Sequence, residues 1–238
     1  MPIKMKRRVN IVFFGDSLFN GEGGPVHLCW VNKVSERLYN YFAKFGVQVV
    51  CTNSSVSGDT TSTALLRIAY HTRKKGMDIF VSQFGMNDIC RWETEGNVRR
   101  VNSRSFQAHL MELKDRAISY GAKKTLFITN PPSARSEEFC DDLRYINSII
   151  RYQSCCDPRP IPMDTQMIRE ASCGYSGCDC ENIAELTTKE YFEACKKTQK
   201  KFLLDDCIHL NTTGHELYVK IVYPILKDLV ITILKERK

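Results

Sequence analysis

Apolar and polar positions follow two rhythms along this chain. A short apolar run at Val9–Phe14 ends at Gly15 and predicts a buried strand. From Cys29 to Phe45, the residues Trp30, Val34, Leu38, Tyr41, Phe42 and Phe45 recur at helical spacing, and Gly46 is a natural stop. The β-branched run Val47–Thr52 predicts a second strand. Thr60–Lys75 carries Leu65, Leu66, Ile68 and Ala69 among basic residues and predicts a helix closing at Gly76. Asp78–Phe84 predicts a third strand. Ser105–Tyr120 predicts a helix with Phe106, Leu110, Leu113 and Ala117 inward. Lys124–Thr129 predicts a fourth strand, stopped by Pro131 and Pro132. A helix over Glu137–Cys155, a short fifth strand at Ile161–Asp164 and a closing helix over Thr213–Lys235 complete the pattern. Pro224 is expected to kink or interrupt that last helix.

Strands that alternate with helical segments imply a parallel sheet covered on both faces. The fold class is therefore α/β, a three-layer α/β/α sandwich around a mainly parallel, flavodoxin-like sheet of about five strands. A chain of 238 residues suits a single domain spanning positions 1–238. One stretch, about 166–201, breaks the alternation and reads as a cysteine-rich insertion. In folds of this class, ligands bind at the carboxyl ends of the strands, so chemistry is sought just after each strand.

Composition narrows the picture. Hydrophobic residues make up 43% and charged residues 26%, which excludes disorder over most of the chain. No apolar run approaches the ~18 residues of a membrane span, so integral membrane association is not expected. The net charge of +7 is mildly basic. Its small clusters, such as Arg73-Lys74-Lys75, lack the interleaved aromatic residues of a base-stacking surface, so no nucleic-acid partner is expected. The basic start followed by an apolar run resembles a signal peptide, but it lacks a small-residue cleavage site and runs directly into Gly15-Asp16-Ser17. A cytoplasmic protein with reduced thiols is the expectation, and eleven cysteines cannot all pair within one chain. Cys29, Cys51, Cys90 and Cys207 read as small core residues in regular segments. Cys173, Cys178 and Cys180, with Cys155, Cys156 or Cys195, could form a structural zinc site or remain free thiols. No Cys-x-x-Cys pair favours zinc, and no metal is assigned.

Four short blocks carry candidate chemistry. Gly15-Asp16-Ser17-Leu18 places a serine at the rim after the first strand, where it is either a nucleophile or a turn and cap residue. Gly58, within Val56-Ser57-Gly58-Asp59-Thr60, can expose a backbone N–H. Asn87, within Gly85-Met86-Asn87-Asp88, offers a side-chain donor at the same rim. Asp206 stands three residues before His209, a spacing that can bring a carboxylate to one imidazole nitrogen and leave the other free. Asp205 is a competing partner. His215, nearby on the last helix, reads as a packing residue. Phe19 could wall a pocket or pack.

Together, and in this order, the four blocks resemble those of the SGNH hydrolases, also called the GDSL esterase/lipase family. The resemblance covers nearly the whole chain from Val9 to the last helix, apart from the insertion. It implies Ser17 as nucleophile, His209 as general base and Asp206 as the residue that orients the imidazole. It implies an oxyanion hole from the backbone N–H groups of Ser17 and Gly58 and the side chain of Asn87. The logic is that of a serine, base and acid triad on a different scaffold.

The implied activity is hydrolysis of carboxylic acyl esters through an acyl-enzyme, without a metal or other cofactor. A small-molecule substrate is expected, foremost a short-chain or acetyl ester of a small molecule or carbohydrate. A lysophospholipase or thioesterase of the same family is the alternative, followed by a non-catalytic binding protein that kept the fold or an interaction module stabilised by zinc. The insertion could act as a lid or substrate-binding loop beside His209. The sequence does not fix the oligomeric state.

Overall fold

A computed structural model describes residues 7–72, 76–152, 157–172 and 180–237. Its sheet has four parallel strands: β1 (Arg7–Gly15), β2 (Val47–Asn53), β3 (Ile79–Gln83) and β4 (Lys124–Phe127). They lie in the order β2-β1-β3-β4. β1 is central because every residue from Val9 to Leu18 except Asn10 is buried, as a strand covered on both faces requires. The chain leaves β1 towards β2 on one side and reaches β3 on the other. The carboxyl end of β1 is therefore the switch point where ligands bind in such sheets.

The helices are α1 (Ser17–Asn20), α2 (Trp30–Ala43), α3 (Thr61–Thr72), α4 (Ser103–Ser119), α5 (Glu137–Arg151), α6 (Met163–Ser172), α7 (Thr188–Phe202) and α8 (Thr212–Glu236). α2 packs on α8, α3 packs on α4, and α4 also packs on α5, giving the expected three layers. On the α2/α8 side an aromatic cluster lies directly beneath the turn that carries Ser17. Phe19 meets Trp30 edge-to-face at 4.8 Å between ring centroids, and Trp30 meets Tyr218 at 5.3 Å. The Trp30 indole N–H donates to the Leu18 carbonyl at 3.1 Å, so the core grips the turn by backbone as well as by burial.

Several expectations need correction. The fifth strand is reduced to one parallel bridge between Ile128 and Ile161, because the Met163 N–H, the next ladder donor, turns back onto the Ile161 carbonyl as α6 starts. α5 ends at Arg151 rather than Cys155. Phe45 lies beyond the end of α2 and is 66% exposed, and Leu66 points outward from α3. α8 is not interrupted at Pro224. Pro224 is on the exposed face, where the Lys220 carbonyl that loses its donor can meet water, while Val222 and Leu226 anchor the inner face. Cys207 is in a loop at φ 65°, not in a regular segment, and Cys51 is only partly buried.

The described part of the insertion consists mainly of α6 and α7. With α5 they enclose a second small core of Cys140, Ile168, Ile183, Tyr191 and Cys195. Cys195, a candidate zinc ligand by sequence, instead lies 3.3 Å from the sulfur of Cys140. Cys155, Cys156, Cys173 and Cys178 lie outside the described residues, as does the side chain of Cys180. Among the described residues, no group of three or more His, Cys, Asp or Glu side chains is arranged to hold a metal ion. No described helix is long and apolar enough to cross a membrane.

Candidate active site

Asp16 caps α1, accepting the Leu18 N–H at 3.0 Å, and this turns Ser17 out of the strand direction at the sheet rim. The β1 and β2 ends are laced together. The Gly15 N–H donates to Ser55 Oγ at 3.0 Å, and the Val56 N–H donates to the Gly15 carbonyl at 3.0 Å. Gly58 thus reaches the same rim. Its φ of +77° is the left-handed region, and a Cβ there would meet nothing within 4 Å, so conformation rather than room calls for glycine. Among the described residues, neither the Ser17 nor the Gly58 backbone N–H has a hydrogen-bond acceptor.

Asn87 follows β3 and completes the rim. Its Nδ2 donates to Asp16 Oδ2 at 3.2 Å and to the Asp59 carbonyl at 3.1 Å. Asp88 reaches across to α3, accepting from the Thr61 N–H at 3.0 Å and from its hydroxyl at 2.5 Å. Complete burial pushes the Asp16 carboxyl up to about 7; the neighbouring Asp88 and Asp59 charges add to this and the Leu18 N–H opposes it. Burial likewise takes Asp88 up to about 6 against its hydrogen bonds from Thr61.

The fourth block lies in the turn between α7 and α8, framed by a bridge from Leu203 to Leu210. Asp206 Oδ1 accepts the N–H groups of Ile208 and His209, each at 2.9 Å, which curls the turn around its own carboxylate. Asp206 Oδ2 lies 2.5 Å from His209 Nδ1, and His209 Nε2 lies 2.9 Å from Ser17 Oγ. Partial burial raises the Asp206 carboxyl, but the hydrogen bonds from the His209 ring and from the His209 and Ile208 N–H groups outweigh it and hold the group below its usual range. An ionised Asp206 only accepts, so Nδ1 donates to it, and Nε2 is the ring nitrogen that faces the serine hydroxyl. Asp205 makes no such contact.

The five residues to which the family resemblance gives roles therefore lie at one rim. Phe19 packs, fully buried, against Trp30 rather than walling an open pocket. His215 is buried, accepting the Trp30 N–H at 3.4 Å, and burial lowers its pKa to about 4. The sequence reading missed Arg67. Its guanidinium covers the Phe14 ring at 4.1 Å and donates to Asp59, to the Ser54 carbonyl and to the Gly15 carbonyl. Its only sequence signal was a charge among the apolar residues of α3. Glu22 was also missed, although it is the lone carboxylate of the glycine-rich stretch Gly21-Glu22-Gly23-Gly24; its Oε2 lies 3.8 Å from His209 Nε2.

A parallel α/β/α sheet whose switch-point turn carries a serine in contact with a histidine is the framework of a serine hydrolase. The profile of GDSL-like lipases and acylhydrolases matches residues 11–222, and the chain belongs to that family of ester-hydrolysing enzymes. Solved structures share the fold. TesA is 19% identical, with 92% of this chain and 99% of that chain covered and a TM-score of 0.62. A lipase/acylhydrolase from Enterococcus faecalis is 19% identical over 92% and 96%, with a TM-score of 0.64. Axe2, an acetylxylan esterase from Geobacillus stearothermophilus, is 16% identical over 89% and 91%, with a TM-score of 0.63. No curated protein matches the chain significantly by sequence.

Proposed function

We propose that Ser17 is the nucleophile of an acyl-ester hydrolase, His209 its general base and Asp206 the residue that orients the imidazole. The observation that carries this reading is the bridging position of His209, with Nδ1 on Asp206 and Nε2 on Ser17 Oγ. Nε2 takes the hydroxyl proton as Oγ attacks the ester carbonyl. The tetrahedral oxyanion is met by the N–H groups of Ser17 and Gly58 and by Asn87 Nδ2. Nε2 then returns the proton to the leaving alcohol. Water repeats the sequence on the acyl-serine and regenerates the enzyme.

The favoured substrates are short-chain esters, foremost acetyl esters of a small molecule or carbohydrate. Two proteins of this fold support that choice: Axe2, which is an acetylxylan esterase, and a two-domain esterase active on acetylated mannans. The test is hydrolysis of p-nitrophenyl acetate, butyrate and octanoate by the wild type beside Ser17→Ala. The expected result is a rate that is highest on acetate and lost in the variant. Activity retained by Ser17→Ala would remove the serine mechanism, and a maximum at octanoate would remove the acetyl preference. A fluorophosphonate probe should label the wild type and not Ser17→Ala; no labelling of either would favour a binding protein.

A further inference from the structure

We propose that Glu22 selects the alcohol side of the ester, favouring cationic leaving groups over neutral ones and neutral ones over anionic ones. The inference rests on the acyl-transfer reading above. In that reaction His209 Nε2 delivers its proton to the leaving oxygen, so that oxygen must come within hydrogen-bond reach of Nε2. Glu22 Oε2 is 3.8 Å from the same nitrogen. Whatever is bonded to the leaving oxygen must therefore pass within a few ångströms of a carboxylate.

The position of Glu22 is built rather than incidental. The N–H groups of Gly21 and Glu22 both donate to the carbonyl of Ser17, at 3.0 and 3.3 Å, so the carboxylate hangs from the backbone of the nucleophile itself. Gly21 adopts φ +72° and Gly23 φ +85°, which bends the chain back over the site. A Cβ at Gly23 would fall 2.3 Å from Leu204 Cδ1 and 3.8 Å from His209 Cβ, so this loop lies directly on the turn that carries His209. Among the described residues, the His209 ring is the sole basic group within 4.0 Å of the Glu22 carboxylate, and the Glu22 side chain is 48% exposed. No described lysine or arginine neutralises it there, and it stands 3.8 Å from the nitrogen that delivers the proton to the leaving oxygen.

The test holds the acyl group constant and changes only the charge beyond it. Acetylcholine, 2-methoxyethyl acetate and 2-acetoxyethyl phosphate share one acetyloxyethyl scaffold. We expect wild-type kcat/KM to fall in that order, with the phosphate at least about fivefold below the neutral ester at low ionic strength. Glu22→Gln should bring all three within about twofold of one another, and salt raised from about 20 to about 200 mM should weaken the wild-type order. Equal rates on the three esters in the wild type, or an unchanged order in Glu22→Gln, would overturn the proposal. If no ester turns over, rates of Ser17 labelling by alkyl phosphonates bearing the same three leaving groups read the same selection, with the same two overturning results. Ser17→Ala separates the layers: turnover that survives in it refutes the reaction assignment itself, whereas turnover lost in it together with a flat charge profile in the wild type refutes only the role of Glu22.

Discussion

Asn87 Nδ2 donates to Asp16 Oδ2 at 3.2 Å, which ties the amide after β3 to the residue beside Ser17 after β1. Both hydrogens of that amide point at protein acceptors, the second being the Asp59 carbonyl. In the proposed reaction an oxyanion must therefore take over a donor that is already aimed, not recruit a mobile one. Preorganisation of this kind is worth about 10²–10³ in rate per donor. Asn87→Ala should lower kcat by about that factor with KM little changed, read by steady-state kinetics on p-nitrophenyl acetate. A change confined to KM would mean that Asn87 binds substrate without stabilising the oxyanion.

Arg67 should act on the reaction without touching substrate. Its nitrogens reach the end of β1 at Gly15 and the β2–α3 loop at Ser54 and Asp59, the two segments that present Ser17 and Gly58. Burial lowers the guanidinium pKa against the opposing pull of Asp59, so the ion pair is one of partly desolvated charges. Arg67→Met strands the buried Asp59 and should cost about 3–5 kcal/mol of stability. Arg67→Lys keeps the charge but cannot span three acceptors. It should melt near the wild type while kcat falls roughly tenfold through looser placement of the two loops. Equal kcat in Arg67→Lys would show the clamp to be purely structural.

Asp88 gives a pH-dependent stability of unusual sign for a carboxylate. Its native pKa is raised from the ordinary 3.8 to about 6, so between those values the native state binds more protons than the unfolded chain. Its contribution therefore becomes unfavourable as pH rises through that window, is fully unfavourable above it and vanishes below it. Asp88→Asn keeps an oxygen for both Thr61 donors and replaces Oδ2, which has no hydrogen-bond partner among the described residues. The variant should be more stable than wild type by about 1–3 kcal/mol near pH 8, with the gain fading towards pH 4. Urea melts at the two pH values measure it. A gain that grew in acid would contradict the assignment.

These relationships also show what the chain revealed before folding and what it hid. Ser17, Gly58, Asn87, Asp206 and His209 stood out as a set because their four short blocks, each weak alone, together resemble those of a known family, and local spacing brings Asp206 to His209. Arg67 was not legible. Its three acceptors are 8, 13 and 52 residues away, and only the pairing of β1 with β2 brings them together. The fifth strand failed for a local reason: the apolar pattern at Ile161–Asp164 was real, but the α6 start at Met163 left a single bridge. Cys195 was grouped with its neighbours in sequence, whereas helical packing gave it Cys140, 55 residues away, as its partner.

Gly214 tests whether the turn bearing Asp206 and His209 is held from outside. It occupies the first turn of α8, and its N–H donates to the Asn211 cap at 2.9 Å. Glycine within a helix is ordinarily about 1 kcal/mol worse than alanine, so Gly214→Ala would be expected to stabilise. Here a Cβ would lie 2.2 Å from the Phe202 carbonyl oxygen, and backbone cannot swing aside as a side-chain tip can. That same carbonyl accepts the Asn211 N–H at 3.0 Å, so the clash would pry the end of α7 from the start of α8. The intervening turn would open with it. Overpacking of this kind costs about 1–3 kcal/mol, which outweighs the helical gain. Gly214→Ala should therefore lower Tm and kcat together. Gly24→Ala, where a Cβ would meet nothing within 4 Å, should lose no stability. Thermal melts and p-nitrophenyl acetate kinetics on the two variants decide it, and a Gly214→Ala protein as stable and active as wild type would show that α7 and α8 can separate without disturbing His209.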